Sequence, residues 1–199
     1  SVTLLAFLLI IAVGSGISYW VYQKQYGELV AEGREQLDVA RDSFTRELNR
    51  LFEPGPAVYE AVSDARLTER TEEEARDLFF AIATGPVRRT RQINGIFLGF
   101  PDGGFLHVQD LVPSSNSGFA GGLTRRVIDD PEARPEGRWF QHGERAGQWV
   151  EKQIEAESYD PRQRPWFKAA VETAAPVWTK PYVFASSGSL GVTYAHSIY

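Results

Sequence analysis

Hydrophobic and polar positions change period several times along the chain, and each change predicts a different element. Val2 to Trp20, VTLLAFLLIIAVGSGISYW, is apolar and carries no charge, and the first charge is Lys24. That is the length of a helix crossing a bilayer, and Tyr19, Trp20 and Tyr22 stand at one end, where rings favour the lipid–water boundary. A signal peptide has a shorter apolar core and a small-residue cleavage site. The run therefore predicts a transmembrane helix over 1–23. From 24 to 68 good helix formers dominate, predicting one long stalk helix. Val30, Leu37, Phe44 and Leu51 recur every seven residues, a period that suits a left-handed helix pair. Gly33 and Glu47 interrupt the seam. The stripe can serve a second copy of the chain, the chain's own folded domain, or each over different parts. EPGP at 53–56 kinks or breaks this helix, because each proline removes a backbone donor, and AVYEAVSDARLTE resumes it.

A second helix is predicted in TEEEARDLFFAIATGPVRRTRQ. Thr71 and Glu74 have the capping-box spacing, and acids fill the first turn. Leu78, Phe79, Ile82 and Ala83 give it an apolar face. Gly85-Pro86 marks a break or an ending. From Ile93 the period turns to that of strands. INGIFLGF and GFLHVQDL flank PDG, a hairpin signal, with Ile96, Leu98 and Phe100 alternating onto one face. VPSSNSGFAGG is a loop. LTRRVID and GQWVEKQIEAES are candidate strands, the second alternating Trp149, Glu151, Gln153 with Val150, Lys152, Ile154. RPWFKAAVETA is a short helix, and VWTKPYVFAS and LGVTYAHSIY are two last strands joined at Ser187-Gly188. This order predicts an α+β domain over 69–199, an antiparallel sheet with flanking helices.

Charge and composition narrow the partners. The 199 residues carry a net charge of −5, which gives no reason to expect nucleic acid. Without cysteine there is no disulfide or thiolate metal site. Ser1 at the start, no methionine, and a strand at the end are the pattern of a segment cut from a longer protein at both ends.

The densest chemistry is YDPRQRPWF, Tyr159 to Phe167. Pro165 suits the first turn of a helix and pushes Arg164 into extended geometry at its mouth. A helix N-terminus with a guanidinium beside it seats a carboxylate or phosphate. Trp166 and Phe167 wall the place, and Tyr159 offers a hydroxyl. Arg162 either joins the site or pairs with Asp160 to close a turn, and Trp166 either walls a ligand or fills the core.

YDPRQRPWF followed by WTKPYVFAS and GVTYAHSIY resembles the membrane-distal module of a double Cache sensor domain, an extracytoplasmic, PAS-like domain of bacterial receptors. The order of membrane helix, stalk helix and sheet resembles it too. The resemblance implies a PAS-like fold and ligand-binding residues at Tyr159, Arg164, Trp166 and Tyr182, and Arg162 and Phe167 beside them complete the candidate ligand-binding set. Arg164 would hold a ligand carboxylate between aromatic walls. Family members that bind amino acids carry Tyr after the Trp and an acid two residues after the second Tyr; Phe167 and Phe184 stand there. The resemblance therefore implies a small carboxylate-like anion without an ammonium group. It further implies a homodimer through the stalk helix and a place in the bacterial inner membrane, with the sensor outside and no cofactor. It is nearest to sensors attached to nucleotide cyclases making cyclic AMP. Diguanylate cyclases, histidine kinases and chemoreceptors carry similar inputs.

Other chemistry is thin. His107, His142 and His196 lack metal-ligand spacing. ASSGSLG lacks the nucleophile-elbow pattern, and no phosphate loop is present. TRRVIDD reads as a charged strand edge. A membrane-anchored enzyme would need a constellation the sequence lacks; a tethered binding protein without signalling output is the other alternative.

Overall fold

The computed structural model describes residues 2–111, 121–143, 147–152, 158–173 and 175–198, with the side chains of 2–12 outside that set. Contacts divide the chain into two compact units, Ser1–Leu51 and Phe52–Tyr199.

The first unit is helical. α1 runs Val2–Phe52 without a break, as expected for a stretch free of proline. The stripe residues Val30, Leu37, Phe44 and Leu51 are exposed. Among the described residues no helix is long and apolar enough to cross a membrane. Side chains of residues 2–12, a large part of the apolar run, lie outside the described set.

EPGP does break the helix. The break falls at Glu53: α2, Pro54–Asp64, restarts within the motif with proline in its first turn, and Val62 is buried. After a 3-10 turn at Leu67–Glu69 comes α3, Glu72–Arg89. Its capping box is complete: Glu74 N–H donates to the Thr71 hydroxyl, and Thr71 N–H donates to the Glu74 carboxylate. The expected stop at Gly85-Pro86 does not occur, and Pro86 lies inside the helix. Gly85 has no Cβ to meet the proline ring, and buried Val87 holds the last turn in the core.

The sheet follows. β1 is Gly95–Gly99, β2 Phe105–Leu111, β3 Gly122–Ile128, β4 Arg138–His142 and β5 Trp149–Lys152, paired antiparallel in sequence order. In the first hairpin Gly103 takes φ 99°, and the Asp102 carboxylate accepts from Gly104 N–H at 2.8 Å. β4 was not foreseen. The loop at 112–120 and the expected continuation of β5 through Gln153 and Ile154 lie outside the described residues.

Strand period sorts side chains to two faces. One face, with Leu106, Val108, Leu123 and Val127, packs under Phe79, Phe80, Ala83 and Val87 of α3. The other face, with Phe97, Phe105 and Ile128, packs under α4, Pro165–Glu172, through Trp166 and Ala170. The sheet is thus covered on both sides, and the second layer carries the candidate site.

The two last strands are not continuous. They form two short ladders outside the main sheet: β6, Val177–Trp178, pairs with β9, Tyr194–Ala195, and β7, Tyr182–Val183, pairs with β8, Leu190–Gly191. Pro181 has no N–H for the ladder, and the break falls there. Thr179 bridges it, its hydroxyl accepting from Thr193 N–H at 2.9 Å.

Candidate functional site

Two prolines shape the motif. Pro161 opens a 3-10 turn, Pro161–Gln163, and Pro165 opens α4, with Arg164 extended between them at φ −83°, ψ 147°. The two arginines then part. Arg162 turns back: its backbone N–H and its Nε each donate to Asp160 Oδ1 at 2.9 Å. These bonds hold the Asp160 carboxyl below its ordinary range. Arg162 also reaches the Pro101 carbonyl at 3.5 Å, so it braces the turn against the first hairpin.

Arg164 faces the other way. Its guanidinium lies 5.6 Å from the Tyr159 ring centre and donates to the Val183 carbonyl at 3.3 Å. Among the described residues it has no ion pair. Tyr159 packs 4.7 Å from Phe105, and burial pushes its hydroxyl upward in pKa while hydrogen bonds from Trp166 and Arg164 pull the other way. Trp166 is buried, 4.6 Å from Phe97, and Phe167 meets it edge-on at 5.6 Å. A Cβ on Gly99 would lie 2.5 Å from the Trp166 ring, so the glycine is the seat of that ring. Tyr182 shares a 2.7 Å hydrogen bond with the Thr193 hydroxyl, and burial pushes it up to about 12. Phe184 stacks edge-on against Tyr182 at 5.0 Å.

Tyr159, Arg164, Trp166, Phe167 and Tyr182 therefore gather over one face of the sheet, and Arg162 turns to the first hairpin. The sheet beneath is polar. His107, Gln109, Thr124 and Arg126 are all buried. Gln109 and Thr124, and His107 and Arg126, are cross-strand partners of β2 and β3. TRRVIDD is thus no edge: β3 is the middle strand. Arg126 donates twice to the Glu136 carbonyl, at 3.0 and 2.7 Å, and lies 4.9 Å from the Trp139 and Tyr159 rings. Burial lowers it to about 10. Arg125 points to the opposite face, between Phe80 and Trp149 at 4.5 and 3.8 Å. Desolvation, with Arg126 beside it, lowers His107 to about 3, so its imidazole is neutral. The sequence signal for this floor was the alternation Phe105, His107, Gln109.

A five-stranded antiparallel sheet between helices, with a polar face roofed by a helix mouth and a hairpin, defines an α+β domain. Residues 131–199 match the family model described as the methyl-accepting chemotaxis protein-like first PDC sensor domain. The chain is similar to adenylate cyclase 1 of Rhizobium meliloti, 29% identical over 123 residues, 59% of this chain and 18% of that protein. It is also similar to the methyl-accepting chemotaxis proteins McpB and McpC of Bacillus subtilis, 49% identical over 43 residues and 48% over 44. Those alignments cover 21% and 22% of this chain and 6% and 7% of the relatives. The chain thus spans less than a fifth of the length of each. No solved structure gives a significant match. Over its last third the chain is therefore similar to PDC-type sensor domains, and over part of its length it is related to an adenylate cyclase and to chemoreceptors.

Proposed function

We propose that this sensor domain binds a small carboxylate-like anion between Arg164 and the inner face of the sheet. The observation that carries the reading is Arg164 itself. It is a half-buried cation at a helix mouth, bonded only to the Val183 carbonyl and to Tyr159, with no carboxylate on it among the described residues. A guanidinium beside a helix N-terminus favours an anion, and the neighbouring rings limit water. His107 and Arg126, buried on the sheet beneath, supply no negative charge for an ammonium group.

In this reading α1 begins as a transmembrane helix, the domain lies outside the bacterial inner membrane, and two copies pair along the exposed stripe of α1. The relative named as an adenylate cyclase supports an output in cyclic AMP; the two chemotaxis relatives support a chemoreceptor output as the second reading. Either output requires that the ligand bind two conformations unequally.

The test is a thermal-shift screen of small carboxylates on the chain in detergent, beside Arg164→Ala. We expect stabilisation that the variant loses. Equal shifts in both proteins would remove Arg164 as the anchor.

A further inference from the structure

Gln109 is 1% exposed, and its side chain is half satisfied. One end of the amide, Oε1, accepts from the Ser186 hydroxyl at 2.7 Å. The other end, Nε2, has no hydrogen-bond partner among the described residues. A serine hydroxyl can donate or accept, so turning the amide over changes which atom is open but leaves one end open. An unmet buried amide group is unfavourable, and folded proteins rarely leave one without a reason. Gln109 lies on the same face of β2 as Phe105, four residues along, which is about 13 Å. Phe105 touches Tyr159, at the cationic end. Ser186 lies in the turn between β7 and β8, the hairpin whose Val183 carbonyl holds Arg164. Floor and roof thus run together from a cationic, aromatic end to a neutral amide end.

We propose that Gln109 is a specificity-determining residue that hydrogen-bonds an uncharged polar group, a hydroxyl or amide, at the far end of the ligand. This rests on the carboxylate reading of Arg164. The ligand class is then an extended carboxylate with a neutral polar tail. Gln109 discriminates by a gain: a hydroxyl or amide tail meets the open end of its amide, which an apolar tail leaves as it was.

The probes are ω-hydroxy carboxylates of three to eight carbons and their unsubstituted counterparts, measured by calorimetry on the chain in detergent. At one chain length the hydroxy acid should bind about tenfold more tightly than its counterpart, the effect of one buried hydrogen bond. Gln109→Met, close in shape and apolar, should abolish that preference and leave the plain acid within about twofold. Ser186→Ala, which unpins the amide, should reduce the preference severalfold, a second handle should Gln109→Met fail to fold. Equal binding of both series at every length, or a preference that survives Gln109→Met, overturns the role of Gln109 and leaves the carboxylate reading standing. No binding of any carboxylate overturns both.

Discussion

Thr179 and Thr193 hold the interrupted hairpin together from both sides. Thr179 N–H donates to the Thr193 carbonyl, and Thr193 N–H donates to the Thr179 hydroxyl, each at 2.9 Å. A side-chain oxygen thus stands in for a backbone acceptor where Pro181 breaks the ladder. Thr179→Val keeps the shape and removes that acceptor. It should cost about 1–3 kcal/mol, because the Thr193 N–H is buried. Thr179→Ser should retain most of it. Denaturant unfolding of both variants decides; equal stability of Val and Ser would show that the hydroxyl does not bear on the hairpin.

Gly99 seats Trp166, Phe167 and Pro161 at once, with a built Cβ 2.5, 3.1 and 3.2 Å from them. Gly99→Ala should destabilise by about 1–3 kcal/mol through overpacking and lift α4 from the sheet. Gly33→Ala is the contrast: it has open space on a helix and should be neutral or stabilising by up to about 1 kcal/mol. Near-equal melting shifts for the two would contradict this seating.

His107 gives the domain an acid limb. The unfolded chain takes up a proton near pH 6.5 that the folded chain refuses until about 3, because burial and Arg126 disfavour the imidazolium. Stability is therefore full above pH 6.5 and falls as pH drops towards 3, by on the order of 3–5 kcal/mol. Asp160, held low by Arg162, acts in a lower window, below its unfolded value near 4. His107→Gln should flatten the limb between pH 6.5 and 4. A limb unchanged in that variant would move its origin elsewhere.

For the membrane, expression of the chain in a bacterium should leave it in the carbonate-insoluble membrane fraction, and removal of residues 1–23 should release it. Leu37→Lys with Phe44→Lys should abolish crosslinking along α1 without changing ligand binding. Full extraction of the intact chain by carbonate would argue against the spanning helix.

Much of the framework was legible because it rests on local chemistry. The capping box of Thr71 and Glu74, the Pro-Asp-Gly turn and the proline start of α4 are each set by neighbours in sequence. What was hidden depends on partners far away. β4 is short and its alternation is blurred by Arg138, which pairs with Asp129. Arg126 looked like an edge charge because nothing local reveals the Glu136 carbonyl and the two rings that compensate its burial. Pro86 looked like a stop because the core contact of Val87 is tertiary. Within the motif, the pairing of Arg162 with Asp160 was among the alternatives the spacing allowed; the turn of Arg164 to Tyr159 and Val183 depends on a hairpin nearly twenty residues on.

The restart of the chain at Pro54 has a mechanical consequence. Gly55 sits directly beneath the terminal hairpin: a methyl there would stand 3.0 Å from Trp178 and 3.1 Å from Tyr194. Phe52 meets Trp178 edge-on at 4.8 Å, and Tyr59 meets His196 at 4.8 Å. The start of the folded unit thereby meets the last described strands in one aromatic joint. The hairpin that presents Val183 and Ser186 over the site is thus seated, through Trp178 and Tyr194, on the residues where the chain enters the folded unit.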